Sequence, residues 1–216
     1  MFSYSILYEN RDSGTEQMGP GNNHIFGKVY KTNFLEKNNI GFCPDATYTN
    51  EDIGFNINCR FFTDENNLYE NDKPVIIWKH DNKSITRINN CEFLYKQNNL
   101  GLALNGEFAI NNAKEKNVLD KKISSEIYSI MMTLYIFYCI TKYRRPEYSD
   151  DALSGCLYFY EKCFRDWGKD IELMPIIWYD TVHSMLFFDE EYVKNNLLFF
   201  NFPEFLTYLE TIIQNE

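Results

Sequence analysis

The side chains best suited to metal binding in this sequence are its three histidines and six cysteines. The histidines are His24, His80 and His183, and no two of them are close in the sequence. Zinc sites usually show paired ligands at short spacings such as C-x2-C or H-x3-H, and no such pair occurs here. Cys156 and Cys163 coincide with or border the apolar face of a predicted helix, which favours core thiols over ligands. The sequence therefore predicts no metal and no other cofactor.

Nucleophilic catalysis would need a cysteine or serine next to a histidine and a carboxylate in the folded chain. The sequence has neither G-x-S-x-G nor a local cysteine-protease signature. His183 lies near Asp180 and is the best candidate for a base, although a histidine in a strand needs no catalytic role. Three glycines in the loop 10–23 lack the G-x-x-x-x-G-K-[ST] pattern of a phosphate-binding loop. We therefore expect no enzymatic activity, with an enzyme whose site is assembled across the fold as an alternative.

Carboxylates stand beside large aromatic rings in three segments of the last third of the chain. Interfaces favour Tyr, Trp and Phe as anchors, and complementary charge accelerates encounter with a basic partner. The alternative is that the rings face the core while the carboxylates cap helices. From these segments the sequence predicts a partner-binding set that consists of Asp150, Asp151, Trp178, Tyr179, Asp180, Asp189, Glu190, Glu191 and Tyr192.

The negative charge of the chain is confined to its last third. The formal net charge is −10, yet residues 1–145 contain 17 acidic and 17 basic side chains, whereas residues 146–216 contain 14 acidic and four basic ones. Such a field repels nucleic acid and anionic membranes and attracts basic proteins. The densest basic cluster, Lys142 to Arg145, is only four residues long, so we expect neither a nucleic acid nor a membrane as a partner. The alternative is that acidity keeps an aromatic-rich protein soluble.

The N-terminus and the cysteine spacing both favour a cytoplasmic protein. The first residues, MFSYSILYENRDSG, contain no basic region followed by a long apolar run, so they do not match a signal peptide. The cysteines show no framework spacing, and we expect all six to be reduced. They are Cys43, Cys59, Cys91, Cys139, Cys156 and Cys163.

The elements that position these residues are predicted around one apolar segment, Ile127 to Ile140. It contains no charged residue, and its only hydroxyls besides the tyrosines are Ser129 and Thr133. A membrane span needs about 20 apolar residues, whereas a run of roughly 10–14 is typical of a buried core helix. We predict a helix that begins near Val118 and ends before Pro146, since proline interrupts helices. We expect it to be covered by a sheet on one side and by helices on the other.

The fold class predicted from these patterns is α+β, with residues 1–216 as a single domain. An N-terminal antiparallel β-meander, 1–112, packs on a mostly helical and acidic portion, 113–216, that contains the central buried helix. Apolar alternation predicts strands over 2–8, 25–31, 54–62, 75–78, 84–88, 91–95 and 100–110. Asn105-Gly106 is the pair preferred in a type I′ turn.

Three elements are predicted in the last third of the chain. One helix follows Pro146, with Ser149 as its cap and Gly168 at its end. A last helix starts near Pro203. Residues 176–188 fit either two strands or a helix.

In size, acidity and lack of catalytic motifs, the chain resembles the immunity proteins of bacterial contact-dependent and type VI toxin systems. The resemblance is one of general character over the whole chain, and no family motif aligns. It implies a cytoplasmic inhibitor that binds a cognate toxin, for example a nuclease, or another basic protein through its acidic, aromatic-rich surface. The alternative binding role is an acidic inhibitor of a host defence enzyme.

Overall fold

Helices provide most of the structure in the part of the chain that the computed structural model describes, which is residues 2–9, 15–18, 28–46, 50–63, 69–79, 91–167 and 202–215. The α-helices there are α1 (Thr32–Lys37), α2 (Glu51–Phe62), α3 (Cys91–Glu115), α4 (Asp120–Arg144), α5 (Ser149–Phe159) and α6 (Phe202–Gln214). A 3-10 turn, Pro146–Tyr148, precedes α5, and a π-helical turn, Tyr160–Phe164, follows it directly.

The described strands are β1 (Phe2–Glu9), β2 (Thr15–Met18), β3 (Lys28–Val29) and β4 (Tyr69–Lys79). β1 pairs in parallel with β4 and antiparallel with β2 and β3. The strand predicted at 2–8 agrees with β1, and the predicted strand 75–78 lies within β4. β3 lies within the predicted strand 25–31, whose first residues, 25–27, are outside the described part of the chain, as is the predicted strand 84–88.

The clearest predicted strand, 54–62, is wrong because these residues form α2. Its alternation of apolar and polar residues suggested one face in solvent, but Asn56 and Asn58 are buried. Asn56 Oδ1 accepts a hydrogen bond from the Tyr30 hydroxyl at 2.9 Å, and Asn58 Oδ1 accepts one from Asn112 Nδ2 at 2.7 Å. Side-chain hydrogen bonds to distant residues thus let polar groups occupy an interior face, which the period-two pattern could not indicate.

The predicted strands 91–95 and 100–110 are also wrong, because both lie within the single helix α3. Asn105 and Gly106 are inside this helix, not at a turn, and Asn105 Nδ2 donates to the carbonyl oxygen of Gly101 at 2.9 Å. A Cβ atom at Gly106 would lie 2.9 Å from Cδ1 of Ile130 and 3.0 Å from Cε2 of Phe159. The glycine therefore permits close helix packing where the sequence suggested a hairpin.

These two helices overturn the predicted α+β class. Residues 1–112, expected to be mostly β, contain α1, α2 and most of α3, and the described structure is mostly helical. The longest strand pairing is the parallel one of β1 with β4, which is not the arrangement of an antiparallel meander.

The predicted central helix is confirmed as α4. Leu134, Met131 and Met132 are completely buried in it. Its main neighbours among the described elements are the helices α3 and α5. The prediction that a sheet covers one side of this helix is therefore wrong. None of the helices in the described ranges combines the length and apolar character needed to cross a membrane.

The helices α3, α4 and α5 are joined by one buried amide. Asn99 on α3 donates from Nδ2 to the carbonyl oxygen of Leu134 on α4, at 3.2 Å, and to that of Ala152 on α5, at 2.9 Å. Close approach is possible because Gly155 lies on α5 where any Cβ atom would be 2.5 Å from the Asn99 carbonyl carbon. The polar residue and the glycine together set the position of α5.

The ends of the last two described helices agree with the sequence in part. α5 begins at Ser149, but its N-cap residue is Tyr148, and the Ser149 hydroxyl donates instead to the carbonyl oxygen of Pro146 at 2.8 Å. Gly168, the predicted end, lies outside the described residues. α6 begins at Phe202, one residue before the predicted start, and buries Phe205 and Leu209 as expected.

Replacing Leu134 with alanine should lower the free energy of unfolding by about 2–5 kcal/mol, from lost burial and the cavity left behind. Urea denaturation of the variant measures this change. Leu119→Ala is the matched control, since that leucine is 75% exposed and should change stability within about ±0.5 kcal/mol. A loss at Leu134 below about 1 kcal/mol would show that α4 is not the core element.

Gly155→Ala should destabilise the protein by about 1–3 kcal/mol, because the added methyl group meets backbone atoms of α3 that cannot rotate away. Alanine favours a helix over glycine by about 1 kcal/mol, so a loosely packed α5 would instead become more stable. A lower urea midpoint would therefore indicate that α5 packs tightly on α3, and a higher midpoint would indicate loose packing. Ser154→Ala, at the neighbouring exposed position, is the control.

Candidate partner-binding surface

The structure places two of the nine predicted partner-binding residues, Asp150 and Asp151, in the first turn of α5. Asp150 is exposed and Asp151 is partly buried. Carboxylates at this position are stabilised by the positive end of the helix dipole, so both also have a structural role. The other seven lie outside the described residues: Trp178, Tyr179, Asp180, Asp189, Glu190, Glu191 and Tyr192.

The charge of Asp150 acts on a tyrosine hydroxyl in the C-terminal half of α4. The Tyr138 ring is buried and stacks on Phe205 of α6 with 5.2 Å between ring centroids. Burial is the main cause that raises the pKa of Tyr138 to about 12, and the charges of Tyr208, Cys139, Cys156 and Asp150 contribute to the same rise. Lys142 Nζ donates to the same hydroxyl at 3.4 Å. The charges of Asp150 and Tyr208, which are far apart in the sequence, therefore both act on the same hydroxyl of α4.

Tyr208 and Glu204 on α6 extend this region. The Tyr208 residue is 37% exposed, and a tyrosine with an apolar ring and a polar tip is favoured at interfaces. Glu204 is exposed, and its charge contributes, after burial and Cys139, to the raised pKa of Tyr135 on α4. We define the acidic–aromatic surface as Asp150, Asp151, Glu204 and Tyr208.

Sequence analysis missed Glu204 and Tyr208 because neither belongs to a cluster of acids and rings. Both are exposed positions of α6, whereas Phe205 and Leu209 on the same helix are buried. The amphipathic pattern of α6 identifies them as exposed, but it cannot show that they lie near Asp150. That information comes only from the packing of α6 against α4.

The described cysteines are placed as core residues. Cys43, Cys59, Cys139, Cys156 and Cys163 form no disulfide bonds. Burial raises the pKa of Cys139 and of Cys163 to about 12, and that of the fully buried Cys156 still higher. A reactive thiol needs a lowered pKa, so Cys139, Cys156 and Cys163 are unsuited to nucleophilic catalysis. The interpretation of Cys156 and Cys163 as core thiols is confirmed.

The histidines considered for chemistry, His24, His80 and His183, lie outside the described residues, as does Asp180. Within the described ranges, no group of three or more His, Cys, Asp or Glu side chains is arranged to hold a metal ion.

Comparisons of the chain with protein-family models, with curated proteins and with solved structures found no match. Function must therefore be inferred from the charges and contacts of the chain itself.

Stability should fall as the pH rises from about 9 towards 12. The pKa of Tyr138 and Tyr160 is raised by burial from 10.0 to about 12, and that of Cys139 and Cys163 from 9.0 to about 12. Below the ordinary pKa values both the folded and unfolded states hold these protons. Above them the unfolded state loses its protons first, which favours unfolding. Urea midpoints at several alkaline pH values measure the effect.

Tyrosinate absorbance recorded in the same samples provides the control for this pH dependence. The buried tyrosines should ionise together with the loss of the helical circular dichroism signal. Ionisation of all tyrosines near pH 10 in a protein that keeps its helices would contradict the burial described here.

Proposed function

We propose that this protein is an immunity protein, which binds and neutralises a basic toxin through the acidic–aromatic surface. The observation that carries the proposal is that the buried Tyr138 ring stacks on Phe205 of α6, while the charges of the exposed residues Tyr208 and Asp150 both raise the pKa of Tyr138. The toxin as partner is supported by the chain's resemblance in size, acidity and lack of catalytic motifs to immunity proteins.

Charge complementarity gives this surface a physical role in binding. Residues 146–216 carry 14 acidic and four basic side chains. Enzymes that act on polyanions have basic active sites, and an acidic protein is attracted to them before contact. The Tyr208 ring, one helical turn from Glu204 on α6, can then supply apolar contact area.

Affinity capture with the full chain, followed by mass spectrometry, identifies the partner. The captured partner should be a basic protein. It should be captured in smaller amount by a variant in which Asp150 and Asp151 are both changed to lysine than by the wild-type chain. Equal capture by both chains would contradict the proposal.

The Asp150→Lys/Asp151→Lys variant should bind the captured partner mainly with a slower association rate, and the salt dependence of that rate should decrease. The reason is that exposed charges act over about 8–10 Å at physiological ionic strength. Surface-plasmon kinetics at two salt concentrations measure both effects. Placing cations at a helix N-terminus should destabilise the fold by only about 0.3–1 kcal/mol per charge, which melting curves can verify.

Asp120→Lys is the matched control for this experiment. Asp120 is also an exposed acid in the first turn of a helix, but it is 18 residues from Tyr138 along α4. At 1.5 Å per residue the separation is about 27 Å, more than two screening lengths. The control should bind with the wild-type rate. Asp120→Lys changes the net charge by two units and the double variant changes it by four, so an effect of Asp120→Lys about half as large would mean that total charge, and not this surface, governs association.

The predicted cluster Asp189-Glu190-Glu191, outside the described residues, can be tested with the same kinetics. If the proposal is correct, changing all three residues to lysine should also slow association with the partner. An unchanged rate and salt dependence would show that this cluster lies away from the interface.

A further inference from the structure

A groove of about 810 Å³ lies between the π-helical turn and α6. Pockets for specific recognition commonly have volumes of about 300–1,000 Å³. Its sides include the buried rings and aliphatic groups of Tyr160, Phe164 and Leu206, and the charged side chains of Arg165, Asp166 and Glu210. The groove is therefore apolar along its floor and charged at its rim.

The π-helical turn that follows α5 directs the side chains of Tyr160 and Arg165 towards the carboxylate of Glu210. The Arg165 backbone N–H donates to the carbonyl oxygen of Tyr160 at 2.8 Å, which widens the turn by one residue. In a regular α-helix with about 3.6 residues per turn, positions five apart face different directions. Here the Tyr160 hydroxyl donates to Glu210 Oε2 at 3.1 Å and Arg165 donates to Glu210 Oε1 at 2.5 Å. Such π-turns are rare and frequently occur at functional sites.

Glu210 is held as a carboxylate. Gln214 Nε2 donates to Glu210 Oε1 at 2.8 Å, and this bond, with those from Arg165 and Tyr160, lowers the pKa of Glu210. A carboxylate accepts about four hydrogen bonds. The described residues supply three, two to Oε1 and one to Oε2, so one acceptor position on Oε2 is not used within the described part of the chain.

The charges of the groove select a cationic group. Arg165 contributes one positive charge, whereas Asp166 and Glu210 contribute two negative ones. The Glu210 side chain is 27% exposed, so its carboxylate is accessible from the groove. An arginine side chain combines an apolar stem, which suits the floor, with a planar cation that forms directed hydrogen bonds to carboxylates.

We propose that this groove receives an arginine side chain of the protein's basic partner, with its stem against Phe164 and Leu206 and its guanidinium group on Oε2 of Glu210. The identity of the partner as a basic protein rests on the proposed function. The groove itself is a separate contact from the acidic–aromatic surface, because Tyr208 and Glu210, two positions apart on α6, face different directions.

The test is an NMR titration of the full chain with N-acetyl-arginine amide, and with N-acetyl-citrulline amide as the uncharged isostere. The arginine compound should shift the side-chain amide signals of Gln214, and the citrulline compound should not. Glu210→Gln keeps the size of the side chain and removes its charge, so it should weaken affinity at least about fivefold. Glu115→Gln, at an exposed position of α3 that belongs neither to the groove nor to the acidic–aromatic surface, is the control and should leave the Gln214 response unchanged.

Arg165→Gln should change the affinity for N-acetyl-arginine amide in the direction opposite to that of Glu210→Gln. Its side chain is 42% exposed, so the fold should tolerate the change, and loss of the competing cation should strengthen binding of N-acetyl-arginine amide. The inference is overturned if the Gln214 amide signals do not shift with N-acetyl-arginine amide, or if N-acetyl-citrulline amide shifts them equally. It is overturned as well if Arg165→Gln weakens the binding of N-acetyl-arginine amide. It is also overturned if Glu210→Gln, shown to be folded by its melting curve, binds as the wild type does.

The captured partner separates this inference from the proposed function. Partner binding that is weakened by the reversal of Asp150 and Asp151, but not by Glu210→Gln, would contradict the groove and support the acidic–aromatic surface. Partner binding that is weakened by Glu210→Gln, but not by the reversal of Asp150 and Asp151, would support the groove and contradict the acidic–aromatic surface.

Discussion

The Asn99 side-chain amide donates from α3 to backbone carbonyl oxygens on both α4 and α5. These carbonyl groups belong to Leu134 and Ala152, in the most buried part of the protein. A buried polar group that loses its partner destabilises the fold by about 1–3 kcal/mol, so this amide restricts how the three helices can slide. Gly155 completes the constraint, since its lack of a side chain lets α5 approach the backbone at Asn99. The acidic start of α5 and its π-helical end are positioned by this contact.

Burial in this bundle suppresses the chemistry of several groups that could otherwise react. Cys139, Cys156 and Cys163 all have raised pKa values because the core disfavours their thiolates. The accessible polar groups are instead carboxylates, hydroxyls and an ion pair around α5 and α6. Such groups are better suited to recognising a charged protein than to covalent catalysis. The acidic–aromatic surface and the groove at Glu210 both follow from the way α6 packs across α4 and the end of α5.

Part of the candidate site could be predicted from the sequence alone. Asp150 and Asp151 were identified because they belong to the acidic–aromatic segments of the last third of the chain, where carboxylates and rings suit binding to a basic partner. Tyr208 was missed, since it lies more than fifty positions from Asp150 in the sequence and belongs to no acidic cluster. The groove was missed for a different reason. A π-helical turn depends on one backbone hydrogen bond between Arg165 and Tyr160, and no pattern of residue types specifies it.

The sequence by itself determined the buried helix α4, the amphipathic helix α6 and the concentration of acid in residues 146–216, because each depends on residues close together in the chain. Only the tertiary structure decided that 54–62 and 100–110 are helical. Their alternation matched a strand, but Asn58 is buried through its bond with Asn112, 54 positions away. A polar residue can occupy a core position when a side chain distant in sequence forms a hydrogen bond with it, and the local apolar pattern does not reveal that partner.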